Sequence, residues 1–310
     1  MRYADVLDSI GHTPLVGMPR MSPKPGVRLW AKLEGANPTG STKDRIAKRM
    51  IEAAEASGEL TKDRIVLEPS SGNTGISLAM VCRLKGYRLT VVIPDNASEE
   101  RIRLLELFGA EIVYSPGDRG TNGSIEVARA LARDPRYYMP FQYGNPNNPL
   151  AHEEGTAVEI LEDLPEVTHF VAGLGTGGTL TGNGRALHRH NPDVQIVAAE
   201  PELGELVYGL RSLDEGFIPP IYDPSVVDRK FLVSSSEALR ATRELTAKEG
   251  IFAGISSGAV VHVAQRIARE IDEGDIVCLL ADGGWKYLST QAWAPDIERA
   301  VKGVEASLWW

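Results

Sequence analysis

The chain has 310 residues, of which 43% are hydrophobic and 24% are charged, a balance typical of a globular protein with a sizeable core. Its 42 acidic residues exceed its 33 lysines and arginines, giving a formal net charge of −9. This balance excludes general nucleic-acid binding and docking on anionic membranes, which both need clustered basic residues. Cys82 and Cys278 lie in apolar runs, which excludes a secreted disulfide scaffold and favours buried thiols.

Hydropathy and the first residues indicate where the protein resides. No stretch approaches the roughly 20 apolar residues that a membrane span needs. The opening sequence, MRYADVLDSIG, lacks the basic-then-apolar pattern of a signal peptide. We therefore expect a soluble, cytoplasmic protein.

Short β-rich runs alternate with amphipathic segments along almost the whole chain. The apolar runs predict strands at Val27–Leu33, Arg64–Glu68, Leu89–Ile93, Glu111–Tyr114, His169–Ala172, Gln195–Ala199 and Ile276–Leu280. The amphipathic periodicity predicts helices at Lys43–Ala56, Glu99–Phe108, Glu237–Glu249 and Ala259–Ile271. Continuously apolar strands are typical of parallel sheets covered on both faces. The alternation therefore predicts an α/β fold with mainly parallel sheets.

A polar stretch rich in asparagine and proline at Gln142–Pro149 predicts a domain boundary. We place an N-terminal α/β domain at residues 1–145 and a C-terminal α/β domain at residues 146–310. Part of residues 1–40 is expected to cross to the other domain. The irregular segment Glu202–Asp228 predicts a long functional loop.

The segment Asn37–Arg45, NPTGSTKDR, leads into the first predicted helix. It places Lys43 in the first helical turn, where the helix dipole opposes a positive charge and favours a neutral, nucleophilic amine. A lysine in such a position is a candidate Schiff-base nucleophile. Taken alone, the motif fits a solvated surface lysine better.

The turn Glu68–Gly75, EPSSGNTG, joins a predicted strand to a helical segment. The hydroxyls of Ser70, Ser71 and Thr74 lie beside helix N–H groups, an arrangement that suits a carboxylate or a phosphate. The alternative is ordinary N-capping by Ser71 or Asn73.

A second glycine-rich turn, Val171–Leu180, contains G-x-G-x-x-G and is followed by Glu200 at the end of the next strand. Glycines allow close backbone approach, and a helix N-terminus attracts anions, so the turn is a candidate phosphate site. Alone it supports a dinucleotide and other phosphate cofactors equally, and a tight turn without a ligand stays open.

A third turn, Glu249–Ala259, places Ser256 and Ser257 before a predicted helix. A hydroxyl there could bond a ligand's ring nitrogen, although the sequence alone favours helix capping. The histidines, His152 among them, are scattered without the spacing of a catalytic triad or a metal site, so no metal is expected.

Together these motifs, in this order and spacing, resemble the cysteine synthase family of fold type II pyridoxal-phosphate enzymes. The resemblance runs from Ile10–Leu15 (IGHTPL) to Trp285–Thr290 (WKYLST). It implies a tryptophan synthase β-like fold with two three-layer αβα domains, pyridoxal 5′-phosphate as the cofactor, and a homodimer. The N-terminal domain would carry Lys43 and the carboxylate loop, and the C-terminal domain the phosphate loop and the tail.

The resemblance also implies roles for matching positions. Lys43 would form the internal aldimine and then act as the general base in a β-replacement that passes through an aminoacrylate. Cofactor contacts would come from Asn73 (the 3′-oxygen), Gly175, Thr176, Gly177, Gly178 and Thr179 (the phosphate), and Ser256 (the pyridine nitrogen). The substrate's α-carboxylate would be held by Ser70, Ser71, Thr74 and Gln142. A serine at the ring nitrogen suits β-elimination over transamination.

The segment Tyr208–Phe217, YGLRSLDEGF, resembles the B-type enzymes, some of which use O-phosphoserine and a small ubiquitin-like, thiocarboxylated sulfur-carrier protein. Arg211 suits a phosphate leaving group better than an acetyl group. Alternatively, Arg211 pairs with Asp214 or Glu215 on the surface. In the B-type subgroup the tail can fold into the active-site cleft, so the resemblance implies that Ser307–Trp310 forms a lid. Packing of the two terminal tryptophans on the protein's own surface or on a dimer interface fits equally well.

Other functions stay open at this point. The nearest is an O-acetylserine sulfhydrylase with free sulfide, followed by cystathionine β-synthase or a dehydratase of the same fold. An NAD-dependent oxidoreductase would use Gly173–Gly178 and Glu200, but it leaves Lys43 unexplained. A non-catalytic binding protein with this fold would be expected to lack the lysine, which is present.

Overall fold

The computed structural model describes residues 2–70, 72–97, 99–288 and 290–306. Ser71, predicted to bind the substrate, and Ser307–Trp310, predicted to form a lid, lie outside the described residues. The strands are β1 (Leu15–Gly17), β2 (Val27–Leu33), β3 (Ile65–Pro69), β4 (Arg88–Pro94), β5 (Glu111–Ser115), β6 (Tyr137–Tyr138), β7 (His169–Gly173), β8 (Gln195–Pro201), β9 (Arg229–Val233) and β10 (Gly274–Leu280). The α-helices are α1 (Lys43–Ser57), α2 (Asn73–Lys85), α3 (Glu99–Leu107), α4 (Gly120–Leu131), α5 (Asn147–Ala151), α6 (Ala157–Asp163), α7 (Gly178–His190), α8 (Ser235–Glu249), α9 (Ile255–Glu270) and α10 (Ile297–Ala306).

The described chain divides into two compact units. The first contains residues 2–10 and Lys43–Asn148, and the second contains Gly11–Thr42 and residues 149–306. The polypeptide therefore passes from the second unit to the first between Thr42 and Lys43.

The first unit is built on a parallel sheet with the strand order β5-β4-β3-β6. Successive residues of its strands face opposite sides. Val91 and Ile93 pack with α1, α2 and α3, whereas Val92 packs with α4. The unit is thus a three-layer αβα sandwich.

The second unit contains a sheet with the order β1-β2-β10-β7-β8-β9, which is parallel except for the antiparallel pair β1–β2. On one face Phe170, Ile196 and Val277 pack with Ile160 of α6 and Leu180 of α7. On the other face α9 packs against β7, β8 and β10 and against α8. The prediction of an α/β fold with mainly parallel sheets is confirmed.

All seven predicted strands are present, with ends within two residues of the prediction. One helix start was wrong: α9 begins at Ile255, because Gly254 takes an extended conformation as its N-cap. Ser256 and Ser257 therefore lie inside the first turn of α9 instead of preceding it. Within the described ranges, no helix is both long and apolar enough to cross a bilayer.

Candidate active site

Lys43 is the half-buried first residue of α1, and Asn73 is the half-buried first residue of α2. These helices pack together, and a salt bridge of 2.8 Å joins Glu55 to Lys85. Glu55 and Lys85 each lie twelve residues after the first residue of their helix, so the helices run parallel with neighbouring N-termini. Lys43 and Asn73 therefore lie on the same side of the first unit, at the end of β3.

A tight turn joins the end of β3 to α2. The Oγ of Ser70 accepts a hydrogen bond of 3.3 Å from the Gly75 N–H. A Cβ at Gly75 would lie 2.3 Å from the Ser70 carbonyl oxygen, so only glycine fits there. Thr74 and Gln142 are both buried, and Thr74 Oγ1 donates a hydrogen bond of 2.6 Å to Gln142 Oε1. The first unit thus brings Ser70, Thr74 and Gln142 together beside the N-terminus of α2, where an anion is favoured.

The glycine-rich turn of the second unit lies between β7 and α7. Gly177 has φ +82°, and a Cβ there would lie 2.7 Å from the Tyr222 Cβ. A Cβ at Gly175 would lie 2.8 Å from the carbonyl oxygen of Gly209. Only glycine therefore fits at these two positions, and the turn packs closely against Gly209 and Tyr222.

The hydroxyls near this turn come from Thr176 and Thr179, both buried. Thr176 Oγ1 accepts from the Gly178 N–H at 3.3 Å, and Thr179 Oγ1 lies 3.3 Å from Nε2 of the buried His152. The first turn of α7 carries no acidic residue. Hydroxyl and N–H donors at the N-terminus of a 13-residue helix are the donor set that a phosphate monoester needs.

Ser256 is buried in the first turn of α9. Its Oγ lies 4.0 Å from the point where Gly209 would carry a Cβ, and the carbonyl oxygen of Gly209 lies beside Gly175. The second unit thus brings the phosphate turn and a neutral hydroxyl close to the same residue, Gly209. A ligand that carries a phosphate and a ring nitrogen could use both.

Arg211 is 8% exposed, which does not fit a solvated surface ion pair. Its backbone N–H donates to the Leu174 carbonyl at 2.8 Å, so it lies directly beside the phosphate turn. Its guanidinium lies 5.0 Å from the centre of the Phe217 ring. Burial and ring contact together restrict the orientation of this cation.

Glu200, which a dinucleotide site would need for the ribose, is fully buried. Its carboxylate accepts from the Leu213 N–H at 2.6 Å and lies 2.8 Å from Lys230 Nζ. This pairing raises the pKa of Lys230. Glu200 therefore fixes the segment that follows Arg211, and the oxidoreductase alternative loses its acidic residue.

Two residues that contact the predicted carboxylate and phosphate sites were not identified as candidates from the sequence. Glu68 holds the backbone of Gln142, and His152 contacts Thr179. A lone carboxylate in the otherwise apolar run IVLEP was the available signal for Glu68. Nothing in the sequence distinguishes His152 from the other scattered histidines.

We expect Gly177→Ala to lower the free energy of unfolding by about 2–4 kcal/mol, because alanine is strained at positive φ and its methyl group would overlap Tyr222. The matched control is Gly204→Ala, where φ is +84° but a Cβ meets nothing within 4 Å. It should cost only about 1 kcal/mol. Urea unfolding of both variants measures the difference, and equal losses would show that the contact with Tyr222 is unimportant.

The chain matches known proteins over almost its whole length. Residues 6–282 match the model of a family described as pyridoxal-phosphate dependent enzyme. The probable cysteine synthase of Bacillus subtilis (strain 168) is 42% identical over 304 residues, covering 94% of this chain and 98% of the relative. Cysteine synthase B of Salmonella typhimurium (strain LT2) is 41% identical over 283 residues, covering 91% and 93%.

A solved structure agrees with this result. The crystal structure of an O-ureido-L-serine synthase is 39% identical, with a TM-score of 0.90, and the match covers 96% of this chain and 97% of that one. Within the second unit, the phosphate turn and the neutral hydroxyl of Ser256 suit the phosphate and the ring nitrogen of pyridoxal 5′-phosphate. With its family model matched from residue 6 to residue 282, this chain belongs to the pyridoxal-phosphate dependent enzymes, and pyridoxal phosphate is its cofactor.

Proposed function

We propose that this protein is a cysteine synthase that replaces the β-substituent of an activated serine with sulfur to give L-cysteine. The names of the curated relatives support the reaction class. The buried Arg211 beside the phosphate turn is the observation that favours O-phosphoserine as the substrate. The sulfur donor would be a small ubiquitin-like, thiocarboxylated carrier protein or sulfide.

The cofactor, when bound, supplies an aldehyde that captures amino groups and a ring that withdraws electrons from the substrate's Cα. Residues of the second unit would hold its phosphate and ring nitrogen, namely Gly175, Thr176, Gly177, Gly178, Thr179 and Ser256. Asn73 of the first unit would donate to its 3′-oxygen. Because a serine hydroxyl is neutral, Ser256 would not stabilise a positive charge on the ring nitrogen, which would favour β-elimination over transamination.

Lys43 has two roles in this proposal. Its amine would bind the cofactor's aldehyde, and its Nζ, when not bound there, would remove the proton from the substrate's Cα. Nζ lies at the N-terminus of α1, where the helix dipole disfavours a positive charge.

The substrate is oriented through its two anionic groups. Ser70, Ser71, Thr74 and Gln142 would hold the α-carboxylate. Arg211 would hold the β-phosphate and neutralise the charge that develops on it as the Cβ–O bond breaks. An acetyl ester is neutral until its bond to Cβ breaks, whereas the phosphate is already anionic in the bound substrate, so the arginine would favour O-phosphoserine.

The assembly and the location are further parts of this proposal. We propose a homodimer in the cytoplasm.

The proposal is tested by measuring L-cysteine formation by the purified protein with added pyridoxal phosphate and sulfide. We expect turnover with O-phosphoserine and with O-acetylserine, and a kcat/KM at least about tenfold higher for O-phosphoserine. Higher kcat/KM with O-acetylserine would keep the cysteine synthase and reject the phosphate preference. Absence of cysteine with both substrates, whether sulfide or a thiocarboxylated carrier protein is the donor, would contradict the proposed reaction.

A further inference from the structure

Glu68 is a fully buried carboxylate in the apolar strand β3. Its Oε2 accepts a hydrogen bond of 2.8 Å from the Phe141 N–H, and its Oε1 accepts one of 3.0 Å from the Gln142 N–H. Two consecutive backbone amides are thus held by the two oxygens of one side chain. No neutral side chain of this length offers two such acceptors.

The turn that Glu68 holds is strained. Phe141 has φ +53°, a conformation that costs free energy for any residue except glycine. The Phe141 carbonyl accepts from Gly144 N–H at 2.9 Å and from Asn145 N–H at 3.1 Å. Asn148 Nδ2 donates to the Gln142 carbonyl at 2.8 Å. Carboxylate, carbonyl and amide contacts therefore offset the strain and keep the turn in one conformation.

The side chain of Gln142 emerges from this turn toward α2. Its Oε1 accepts the hydrogen bond from Thr74 Oγ1 at 2.6 Å, which leaves Nε2 as the amide's donor end. An anion beside Thr74 could accept a hydrogen bond from this donor. Glu68 thus holds the backbone of the same residue, Gln142, whose side chain lies beside Thr74.

We propose that Glu68 is a positioning residue for the substrate's α-carboxylate, because it holds the Phe141–Gln142 backbone and so sets the orientation of the Gln142 side chain beside Thr74. This inference rests on the proposed function, in which Gln142 and Thr74 bind that carboxylate. Glu68 touches neither substrate nor cofactor in this proposal.

The ionisation of Glu68 should make substrate binding depend on pH. Burial raises its pKa to about 7, although the two amide hydrogen bonds oppose the shift. Only the ionised carboxylate offers an acceptor to both amides. The neighbouring Tyr138 stays neutral in this range because burial raises its pKa to about 12, and the guanidinium of Arg64 lies 5.7 Å from that ring. Substrate binding should therefore weaken as the pH falls below about 7.

The first test is Glu68→Gln, which keeps the shape but turns an amide NH₂ toward one backbone N–H. We expect KM for O-phosphoserine to rise about tenfold or more, with a smaller change in kcat and an unchanged Kd for pyridoxal phosphate. The change of kcat/KM near pH 7 should disappear in the variant. Glu111→Gln, an exposed carboxylate on β5, is the matched control and should change none of these values.

Stability distinguishes positioning from misfolding. An acid whose folded pKa lies above its unfolded value destabilises the protein as the pH rises from about 4.5 to about 7. Glu68→Gln removes this term, so its unfolding midpoint relative to wild type should be higher at pH 8 than at pH 5. If Glu68→Gln does not fold, Glu68→Asp keeps the charge, is too short to reach both amides, and should raise KM in the same way.

Gln142→Ala separates this inference from the proposed function. If Gln142→Ala raises KM and both Glu68 variants leave it unchanged, the positioning role is wrong and the carboxylate site stands. If cysteine forms and substitution at neither Gln142 nor Glu68 changes KM, then Gln142 does not bind the α-carboxylate and Glu68 does not position it. Amide hydrogen exchange in peptides covering Phe141 and Gln142 needs no turnover: faster exchange in Glu68→Gln supports the inference, and unchanged exchange overturns it.

Discussion

Lys43→Ala is expected to lower kcat for cysteine formation by on the order of 10⁴-fold or more and to abolish the visible absorption band that the bound cofactor gives with a lysine. The alanine variant lacks both the amine that binds the aldehyde and the base that removes the Cα proton. Spectra of the purified variant with added pyridoxal phosphate, together with single-turnover kinetics, measure the two losses separately.

Two further lysine variants make this test specific. Lys48 lies on the same helix, and its Nζ donates to the Leu7 carbonyl at 3.0 Å. The Lys48→Ala variant should retain the absorption band and the activity. Lys43→Arg keeps the positive charge, but a guanidinium does not deprotonate at working pH, so it should be as inactive as alanine. Substantial turnover by Lys43→Arg would show that charge alone suffices and would remove Lys43 from the role of base.

The apolar pattern predicted the sheet interiors well and missed particular edges. The missed strands β1, β6 and β9 all lie at the edges of their sheets. β1 has three residues and β6 only two, whereas β9 (RKFLV) begins with two charged residues. A strand with a neighbour on one side needs no continuous apolar run, so the criterion that found the central strands does not apply to it.

The predictability of the candidate site depended on sequence separation. Lys43, Asn73 and the phosphate turn lie where a strand meets a helix or a helix begins, and such positions are visible in a local pattern. Gln142 is different: it lies in a polar stretch that reads as a linker, and its bond to Thr74 spans 68 residues. Neither that contact nor the capture of its backbone by Glu68 leaves a local signal, because tertiary packing creates both.

Arg211→Ala is expected to lower kcat/KM for O-phosphoserine by on the order of 10²-fold and to change kcat/KM for O-acetylserine far less. The guanidinium is buried and held against Phe217, so its bonds to a phosphate would form in a partly desolvated place, where they are stronger than on the surface. Arg211→Lys keeps the charge without the two-pronged geometry and should fall between wild type and alanine for O-phosphoserine alone.

The comparison between two substrates is what makes the arginine experiment decisive. Removing Arg211 also removes packing against Phe217, and such a defect would impair both substrates equally. Arg185→Ala, which breaks a half-exposed ion pair with Asp223 of 2.9 Å, is the control for loss of a positive charge in the second unit and should leave the substrate ratio unchanged. If the ratio of kcat/KM for O-phosphoserine to kcat/KM for O-acetylserine falls only in the Arg211 variants, Arg211 binds the phosphate of the substrate. Equal losses for both substrates would limit Arg211 to packing and make O-acetylserine the better candidate substrate.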